Sequence, residues 1–324
     1  MRAVVCRSYG PPEDLVVDDV ADPIPGPGQL VVRVHAAAVN FPDVLLIAGK
    51  YQVKIPVPFT PGSELAGEVV AADKGARFRP GDRVFGTTPT GAFAELALLD
   101  AHQVSAIPAG TDFAAAAAFG VTYRTAYHAL RSVAQVSEGD WVVILGAAGG
   151  VGQAALDLAV AMKARVLAAA STEEKLDICR QRGAQATVAY DRDELKSAIR
   201  ELTGGGARVV IDPVGGRYAE QALRGLARGG IFVTLGYAAG TIPAIPLNLV
   251  LLKDITIRGM EIRTFTADHP DDAARDIHEL QQMFADGRIR PYIGARFGLA
   301  DTATALRLVA ERRAIGKVVI DVTA

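Results

Sequence analysis

The chain has 324 residues, a formal net charge of −2 at pH 7 and 50% hydrophobic residues. This length is enough for two domains with full cores, and the near-neutral charge argues against nucleic acid or an anionic membrane as a partner. No uncharged apolar stretch reaches the length of a membrane span, and the first residues lack a signal-peptide pattern. We therefore expect no membrane partner and a cytoplasmic location. The two cysteines, Cys6 and Cys179, have no paired spacing, which fits a reducing compartment.

The first part of the chain, up to about Gly120, is rich in short β-like runs separated by proline and glycine. The runs are residues 3–6, 30–34, 67–70 and 82–85. This pattern predicts a small, partly open β barrel. Thr111 and Asp112 give a helix start signal before the alanine run 114–118, so we predict a tightly packed helix there.

From Thr122 to Gly259 the pattern changes to strands that alternate with helices, which is typical of a doubly wound α/β domain. Strands are predicted at 141–145, 165–169, 186–189, 207–212, 230–235 and 255–259. After Met260 the chain predicts helices at 271–286 and 301–312 and a strand at 317–322. That last strand has no neighbour in sequence, so we expect it to return to the first β domain.

The stretch WVVILGAAGGVGQAALDLA, residues 141–159, reads as a buried strand, a glycine turn and a helix. Gly149, Gly150 and Gly152 carry no Cβ, so a pyrophosphate can approach the backbone and the helix can pack closely on the strand. The first amides of the helix can bind an anion. The dinucleotide fingerprint has alanine, Ala147, in place of its first glycine.

The second strand of this βαβ unit lacks the terminal acid that usually holds the ribose of NAD. Ser171, Thr172 and Lys175 follow it instead. A hydroxyl and a lysine without an acid favour a 2′-phosphate, and hence NADPH over NADH. Alternatively, Ser171 or Thr172 only caps the next helix and Lys175 is a solvated surface charge.

Several separated motifs resemble the quinone oxidoreductase (zeta-crystallin) branch of the medium-chain dehydrogenases/reductases. They are VNFPD at 39–43, TPGSELAG at 60–67, PGDRVF at 80–85, YRTAYHAL at 123–130, GAAGGVG at 146–152 and IGKVV at 315–319. The resemblance covers essentially the whole chain. It implies an α/β fold in which a Rossmann dinucleotide-binding domain, 123–260, is inserted into a GroES-like, mostly β catalytic domain, 1–122 plus 261–324.

The resemblance also bears on zinc. Zinc-dependent relatives carry a ligand cysteine before an aspartate, a histidine in a Gly-His-Glu turn and a four-cysteine lobe. Here the first region runs from Asn40 to Asp43, the second reads Gly62-Ser63-Glu64, and no lobe is present. Asp43 and Glu64 alone lack the soft or imidazole ligands that zinc prefers. We therefore expect no metal, and reduction of acceptors that take hydride without a Lewis acid.

For the cofactor, the resemblance implies that Lys175 and Tyr190 flank the 2′-phosphate of NADPH and that Ser171 adds a hydroxyl. Taken alone, Tyr190 reads as a half-buried ring at a strand end. The glycine turn contributes residues to the pyrophosphate site, namely Ala148, Gly149, Gly150, Val151 and Gly152. Gly236 and Tyr237 follow a later strand at the carboxyl edge of the sheet, where such folds bind ligands.

For the reacting end, Asn40 is the candidate that orients the nicotinamide ribose or the acceptor oxygen, unless its amide only makes a local turn bond. Thr125 resembles the residue that contacts the nicotinamide carboxamide and otherwise is an ordinary threonine on a helix surface. Lys317 either approaches the cofactor or is a solvent-exposed lysine that opens a strand. Leu45 stands where some relatives have a tyrosine, so no phenol donates a proton from that position. Tyr51 is a candidate substitute, and otherwise water supplies the proton.

These features predict an NADPH-dependent reductase that transfers hydride to a quinone or an α,β-unsaturated carbonyl, with residues 41–47 lining the site of a small hydrophobic acceptor. An enoyl-thioester reductase on the same scaffold is the nearer alternative, for which Arg258 and Arg263 could bind a coenzyme A phosphate. An NADPH-binding, crystallin-like protein without turnover is the more distant one. The resemblance also implies a homodimer formed through residues 255–259.

Overall fold

The computed structural model describes residues 1–73 and 75–323. The chain divides into two compact units, Met1–Val121 with Pro291–Ala324, and Thr122–Arg290. Among the described residues, no helix is long and apolar enough to cross a membrane.

The helices and strands follow one another in three blocks. The first block contains β1 (Arg2–Val5), β2 (Val16–Asp19), β3 (Gln29–Val39), α1 (Phe41–Ile47), β4 (Glu64–Ala72), β5 (Arg83–Thr87), β6 (Leu96–Asp100), β7 (Val104–Ala106) and α2 (Phe113–Ala117). The second contains α3 (Gly120–His128), β8 (Trp141–Leu145), α4 (Gly150–Ala161), β9 (Arg165–Ala170), α5 (Glu173–Gln181), β10 (Ala186–Ala189), α6 (Leu195–Leu202), β11 (Ala207–Asp212), α7 (Arg217–Gly225), β12 (Leu226–Thr234), α8 (Asn248–Lys253), β13 (Thr256–Gly259), α9 (Ile262–Asp268) and α10 (Pro270–Ala285). The third contains β14 (Ile293–Gly298), α11 (Thr302–Ala310) and β15 (Lys317–Asp321). Short 3₁₀ turns occupy 12–14, 101–103 and 299–301, and a π-helical turn occupies 129–133.

The first unit is built around a mostly antiparallel sheet with the strand order β14-β15-β3-β4-β5-β7, and β6 pairs with β3. The strands β1 and β2 form a separate hairpin. The last strand, β15, returns to pair antiparallel with β3, with Val318 opposite Val39. The predicted return of the C-terminal strand to the β domain is therefore confirmed. Apolar side chains from the strands and from α1 and α11 form one buried core.

The second unit contains a six-stranded parallel sheet with the order β10-β9-β8-β11-β12-β13. The order reverses at β8, since β9 and β10 lie on one side of it and the three later strands lie on the other. Ligands bind at such a switch point in open α/β sheets, outside the carboxyl ends of the strands. All five residues of β8 are buried, as expected for a central strand covered on both faces. The doubly wound fold class is confirmed.

The boundaries of the two units differ from the predicted domains at one end. The first boundary falls at 121/122, beside the predicted 122/123, but the second falls at 290/291 instead of 260/261. Residues 261–290 belong to the same unit as the parallel sheet because α10 is hydrogen-bonded to the end of α3 and to the π-helical turn that follows it. Asp276 accepts a hydrogen bond from Ser132 at 2.6 Å and pairs with His128 at 2.9 Å. These contacts are long-range in sequence, so the sequence pattern did not reveal them.

Candidate functional site

The glycine turn of the second unit joins β8 to α4. The Gly149 N–H donates to the Gly146 carbonyl at 2.9 Å, and the Gln153 N–H donates to the Gly149 carbonyl at 2.8 Å. A Cβ on Gly152 would collide with the Gly146 carbonyl oxygen and lie 2.7 Å from the Ala147 Cα. The turn can therefore close only with glycine at position 152. At position 147 an alanine is accommodated, fully buried.

This turn fits a phosphate group. The residue before α4, Gly149, has an extended backbone and no side chain, and the helix that follows is 12 residues long. The amides of Gly150, Val151 and Gly152 open the helix, where backbone N–H groups have no intrahelical acceptor. Together with the positive end of the helix dipole they can bind a pyrophosphate, and Ala148 lies immediately before them in the turn.

Two further segments end at the same edge of the parallel sheet. Asp212, at the end of β11, is fully buried and accepts from the N–H groups of Val214 and Gly215, each at 2.7 Å. Burial raises the pKa of its carboxyl. Gly236 and Tyr237 follow β12, and a Cβ on Gly215 would lie 2.9 Å from the Tyr237 ring. The predicted pair 236–237 thus lies beside the turn that follows β11.

The predicted 2′-phosphate residues are brought together beyond β9 and β10. The Lys175 ammonium donates to the Ser171 hydroxyl at 3.3 Å, and burial lowers the pKa of this lysine. The Tyr190 N–H donates to the Ala170 carbonyl at 3.2 Å, which holds Tyr190 beside the end of β9. The Thr172 hydroxyl accepts from the Lys175 N–H at 3.4 Å and caps α5. Thr172 therefore caps the helix, and Ser171 is the hydroxyl that contacts the Lys175 ammonium.

Sequence reasoning missed the residues that support Tyr190. The rings of Tyr190 and Tyr218 lie 4.2 Å apart. Asp191 accepts a hydrogen bond from Tyr218 and one from Arg217 at 2.6 Å. Since Tyr218 comes from α7, about thirty residues downstream, only the packing of the strands reveals this contact.

Thr125, the remaining predicted residue of the second unit, lies half-buried on α3. Two residues earlier, the Tyr123 hydroxyl donates to Asp157 at 2.6 Å, and the Asp157 carboxylate also accepts from the Arg290 N–H at 2.8 Å. The helix that carries Thr125 is thereby held against α4. Its role in cofactor binding stays a prediction.

The first unit contains a buried polar cluster around Asn40, the residue that precedes α1. The Lys317 ammonium donates to the Asn40 side-chain oxygen at 2.7 Å and to the Glu64 carboxylate at 2.6 Å. The Asn40 side-chain nitrogen donates to the same Glu64 oxygen at 3.1 Å. Asn40, Glu64 and Lys317 are 5%, 1% and 3% exposed. The buried ammonium and carboxylate groups are thus paired with each other, and both are hydrogen-bonded to Asn40 inside the unit.

Asp43 lies one helical turn after Asn40 and is fully buried. Its Oδ2 accepts from the Asn40 backbone N–H at 2.7 Å, so it closes the start of α1. Burial raises the pKa of Asp43 to about 7, and this outweighs the lowering by the Asn40 N–H and by the Lys317 charge. The sequence did not indicate such a carboxyl group, because its burial depends on the whole sheet.

Lys317 was predicted either to approach the cofactor or to be a solvent-exposed lysine. The second reading is wrong, since the side chain is 3% exposed. An ammonium group has three N–H donors, and here three acceptors surround it: Asn40, Glu64 and the Val39 carbonyl at 3.3 Å. The geometry therefore favours a role inside the cluster, and a direct cofactor contact stays a prediction.

Residues 41–47, predicted to line the acceptor site, form α1. Two of its apolar side chains, Leu46 and Ile47, are 7% and 1% exposed. Phe41, Val44 and Leu45 are half-buried, but Val44 packs against the core of the unit. The expectation for an acceptor site therefore rests on Phe41 and Leu45.

The donor set of this cluster is not one that zinc prefers. Together with Asp43 it consists of an amide, two carboxyl groups and an ammonium group, with neither thiolate nor imidazole among them. Within residues 1–73 and 75–323, no group of three or more His, Cys, Asp or Glu side chains has the geometry to hold a metal ion.

Two family models match the chain. Residues 26–109 match the alcohol dehydrogenase GroES-like domain, and residues 150–280 match the domain described as zinc-binding dehydrogenase. The chain is 37% identical to a quinone oxidoreductase-like protein 2 homolog of Nematostella vectensis, over 99% of this chain and 88% of that protein. It is 35% identical to the quinone oxidoreductase of Homo sapiens, over 94% and 92%.

A solved structure points to the same family. The quinone oxidoreductase of Thermus thermophilus, whose complex with NADPH is also known, superposes with a TM-score of 0.84 and 31% identity over 99% of this chain and 100% of that one. The similarity runs through both units and is not limited to the glycine turn. The chain therefore belongs to the quinone oxidoreductase branch of the medium-chain dehydrogenase/reductase superfamily and is an oxidoreductase.

Proposed function

We propose that the protein is an NADPH-dependent reductase that transfers hydride to a quinone or an α,β-unsaturated carbonyl compound without zinc. The acceptor class is supported above all by the buried cluster of Asn40, Glu64 and Lys317. Its Asn40 amide has one weakly engaged N–H that can stabilise negative charge on an acceptor, whereas a zinc Lewis acid would need soft or imidazole ligands there. The names of the related proteins from Nematostella vectensis, Homo sapiens and Thermus thermophilus agree with a quinone as acceptor.

NADPH fits the second unit. The glycine turn and the first amides of α4 would hold the pyrophosphate, and Ser171, Lys175 and Tyr190 would surround the 2′-phosphate. Gly236 and Tyr237 would line the same edge of the sheet, and Thr125 would orient the nicotinamide carboxamide. When bound, NADPH supplies the hydride.

The first unit would serve the acceptor. Asn40 would donate a hydrogen bond to the acceptor oxygen, which gains negative charge as its conjugated carbon takes the hydride. The half-buried side chains of Phe41 and Leu45 would favour a small hydrophobic, planar molecule. The proton that completes the reduction comes from water in this proposal, so that acceptor, hydride and proton give the reduced product.

The function is tested by following NADPH absorbance with a panel of quinones, enones and enoyl-CoA thioesters, before and after treatment with a metal chelator. We expect oxidation of NADPH with a quinone or an enone, at a rate that the chelator does not change. Loss of the activity with chelator and its return with zinc would contradict the zinc-free mechanism. Tight NADPH binding without turnover of any acceptor would favour the crystallin-like alternative.

The chain offers a matched pair for the role of Asn40, because it contains two asparagines, Asn40 and Asn248. Asn248 is exposed at the start of α8. We expect Asn40→Ala to lower kcat by about 100-fold, as the loss of one oxyanion donor does, and Asn248→Ala to leave it unchanged. Equal activity of both variants would remove Asn40 from the proposed site.

An enoyl-thioester reductase needs basic side chains that can bind a phosphate of coenzyme A. Arg258 donates to the Val133 carbonyl at 3.1 Å, and Arg263 pairs with Glu261 at 3.0 Å. Both guanidinium groups are thus already engaged with their own unit, which weighs against this alternative. A kcat/KM for an enoyl-CoA above that for every quinone and enone would reverse the preference.

We also propose a homodimer formed through β13. This strand pairs on one side with β12, and all four of its residues are exposed. Leu247, Leu251 and Leu252 nearby are 76%, 81% and 65% exposed. An open strand edge beside exposed leucines is typical of an interface. A cytoplasmic location is proposed as well, since both cysteines are unpaired and buried.

A further inference from the structure

In the cluster of Asn40, Glu64 and Lys317, nearly every donor and acceptor has a hydrogen-bond partner. One Glu64 oxygen accepts from Lys317 and Asn40, and the other accepts from the Val121 N–H at 2.7 Å. Lys317 donates its remaining N–H to the Val39 carbonyl. The whole arrangement lies within the first unit and is buried, so water does not compete for these groups.

The chemistry of the two charged neighbours permits one orientation of the Asn40 amide. An ammonium group only donates hydrogen bonds, so the amide oxygen must face Lys317. An ionised carboxylate only accepts them, so the amide nitrogen must face Glu64. A flip by 180° would place NH₂ against the ammonium and oxygen against the carboxylate, and both contacts would become repulsive.

We propose that Lys317 and Glu64 are positioning residues for hydride transfer, which lock the Asn40 amide so that it presents an N–H, and not its oxygen, to the acceptor. The inference rests on the proposed function of Asn40. The second N–H of the amide has only a long contact, 3.4 Å, to the Ala38 carbonyl. That N–H is therefore the one left to donate to an acceptor oxygen as negative charge develops there.

The test removes both charges together. A single Lys317→Met change would leave Glu64 buried without a partner, which commonly destabilises a protein strongly. In Lys317→Met/Glu64→Gln the two side chains are neutral and similar in volume to the originals. The glutamine amide at position 64 can both donate and accept, so it no longer fixes the orientation of the Asn40 amide. We expect the fold to be kept. The matched control is Lys163→Met/Glu138→Gln, because that pair makes a 3.4 Å contact with both side chains 71% exposed.

The first readout does not depend on activity. Labelling with ¹⁵N-asparagine gives only two side-chain amides, those of Asn40 and Asn248. We expect a single sharp pair of Asn40 NH₂ signals that exchanges slowly with water in the wild type, whereas the exposed Asn248 exchanges fast. In the double variant the Asn40 signals should broaden, double or exchange faster. An unchanged Asn40 pair would overturn the proposed lock.

The second readout is kinetic. We expect Lys317→Met/Glu64→Gln to lower kcat by about 100-fold, the scale of a misplaced reacting group, while the Kd for NADPH stays within about twofold. Adding Asn40→Ala to the double variant should cause no further loss, because residues that act through one group are not additive. Additive losses, or an unchanged kcat, would overturn the positioning role.

The two proposals fail in distinguishable ways. A wild-type protein that oxidises NADPH with none of the acceptors overturns the proposed function and, with it, the catalytic purpose of the lock, while the NMR measurement still decides whether the lock exists. An active wild type with an unlocked Asn40 amide overturns the inference alone.

Discussion

The glycine turn of the second unit and the polar cluster of the first unit are built in opposite ways. The turn is mostly local: apart from the bond from the Ala147 N–H to the Ala169 carbonyl, its hydrogen bonds join residues within a few positions, and its shape depends on the absence of side chains. The cluster is assembled from distant positions, since Lys317 and Glu64 are 253 residues apart in sequence, and it depends on side-chain charge. The turn should therefore be sensitive to added volume, and the cluster to altered charge.

The largest effect is expected at the turn, for Gly152→Ala. The added Cβ meets the Gly146 carbonyl and lies 2.7 Å from the Ala147 Cα, which is backbone that cannot move aside. We expect the unfolding free energy to fall by about 3 kcal/mol, as for overpacked cores, and NADPH binding to be lost.

Gly149→Ala is the matched variant, because its Cβ makes an ordinary 3.4 Å contact and its φ of −79° suits alanine. It should keep wild-type stability in urea while binding NADPH less tightly. A Gly152→Ala variant as stable as the wild type would show that the turn tolerates volume.

The next effect concerns the coenzyme preference of the second unit. Removing the Lys175 ammonium in Lys175→Ala should cost the charge-assisted bond to the 2′-phosphate, about 2 kcal/mol. The ratio of kcat/KM for NADPH over NADH should then fall by about 30-fold. Lys163→Ala, which changes an exposed lysine of the same unit, should leave the ratio unchanged. An equal loss with both coenzymes would mean that Lys175 supports the fold rather than the phosphate site.

A third prediction concerns Asp43, the buried carboxyl group of the first unit. The folded-state pKa of Asp43, about 7, lies above the ordinary value of a carboxyl group. The folded state therefore keeps a proton that the unfolded state releases, and stability is lost as the pH rises from about 4 to about 7. Asp43→Asn keeps an acceptor for the Asn40 N–H and cannot ionise. Relative to the wild type it should gain on the order of 2 kcal/mol between pH 5 and pH 8.

The measurement for Asp43 is urea unfolding at the two pH values, with Asp19→Asn as the exposed control. Other groups near the carboxyl, Lys317, Glu64 and Ser63, are the same in both proteins, so the difference reports Asp43. A wild type and an Asp43→Asn variant with parallel pH dependence would show that this carboxyl does not titrate in that range.

The smallest effect on catalysis is expected at the proposed dimer face, on α8 beside β13. Leu251→Asp places a charge on a leucine that is 81% exposed, and should raise the dimer Kd by about tenfold or more without changing kcat. Light scattering after size-exclusion chromatography measures this, and Leu202→Asp on α6 is the control, since that leucine is 42% exposed. A monomeric wild type would refute the proposed dimer.

The predictability of the fold follows the same division between local and distant contacts. The strands of the second unit were predicted closely, for example 141–145 and 186–189, because buried parallel strands are short apolar runs bounded by turns. Strands of the first unit were predicted too short: β3 covers Gln29–Val39, where only 30–34 was expected. Its first residues pair with β6 and its last residues with β15, and a periodic pattern does not report such pairing.

The candidate site shows the same limit. Ser171 and Lys175 are four residues apart at one helix start, so their contact could be expected from sequence. Tyr218 beside Tyr190, and α10 against the π-helical turn, depend on distant segments and were not foreseen. Asn40, Glu64 and Lys317 were each named from their motifs, but their pairing with one another was not foreseen.

By itself, the sequence determined the order of the elements, the parallel sheet, the glycine turn and the candidate phosphate site, because these follow from local periodicity and backbone freedom. Only the tertiary structure decided that Lys317 is buried against Asn40 and Glu64, and that Asp43 is a carboxyl group with a pKa of about 7. The physical reason is that burial and electrostatic pairing are properties of the packed chain. Return of the last strand to β3 brings an ammonium group from one end of the sequence to an amide near the other.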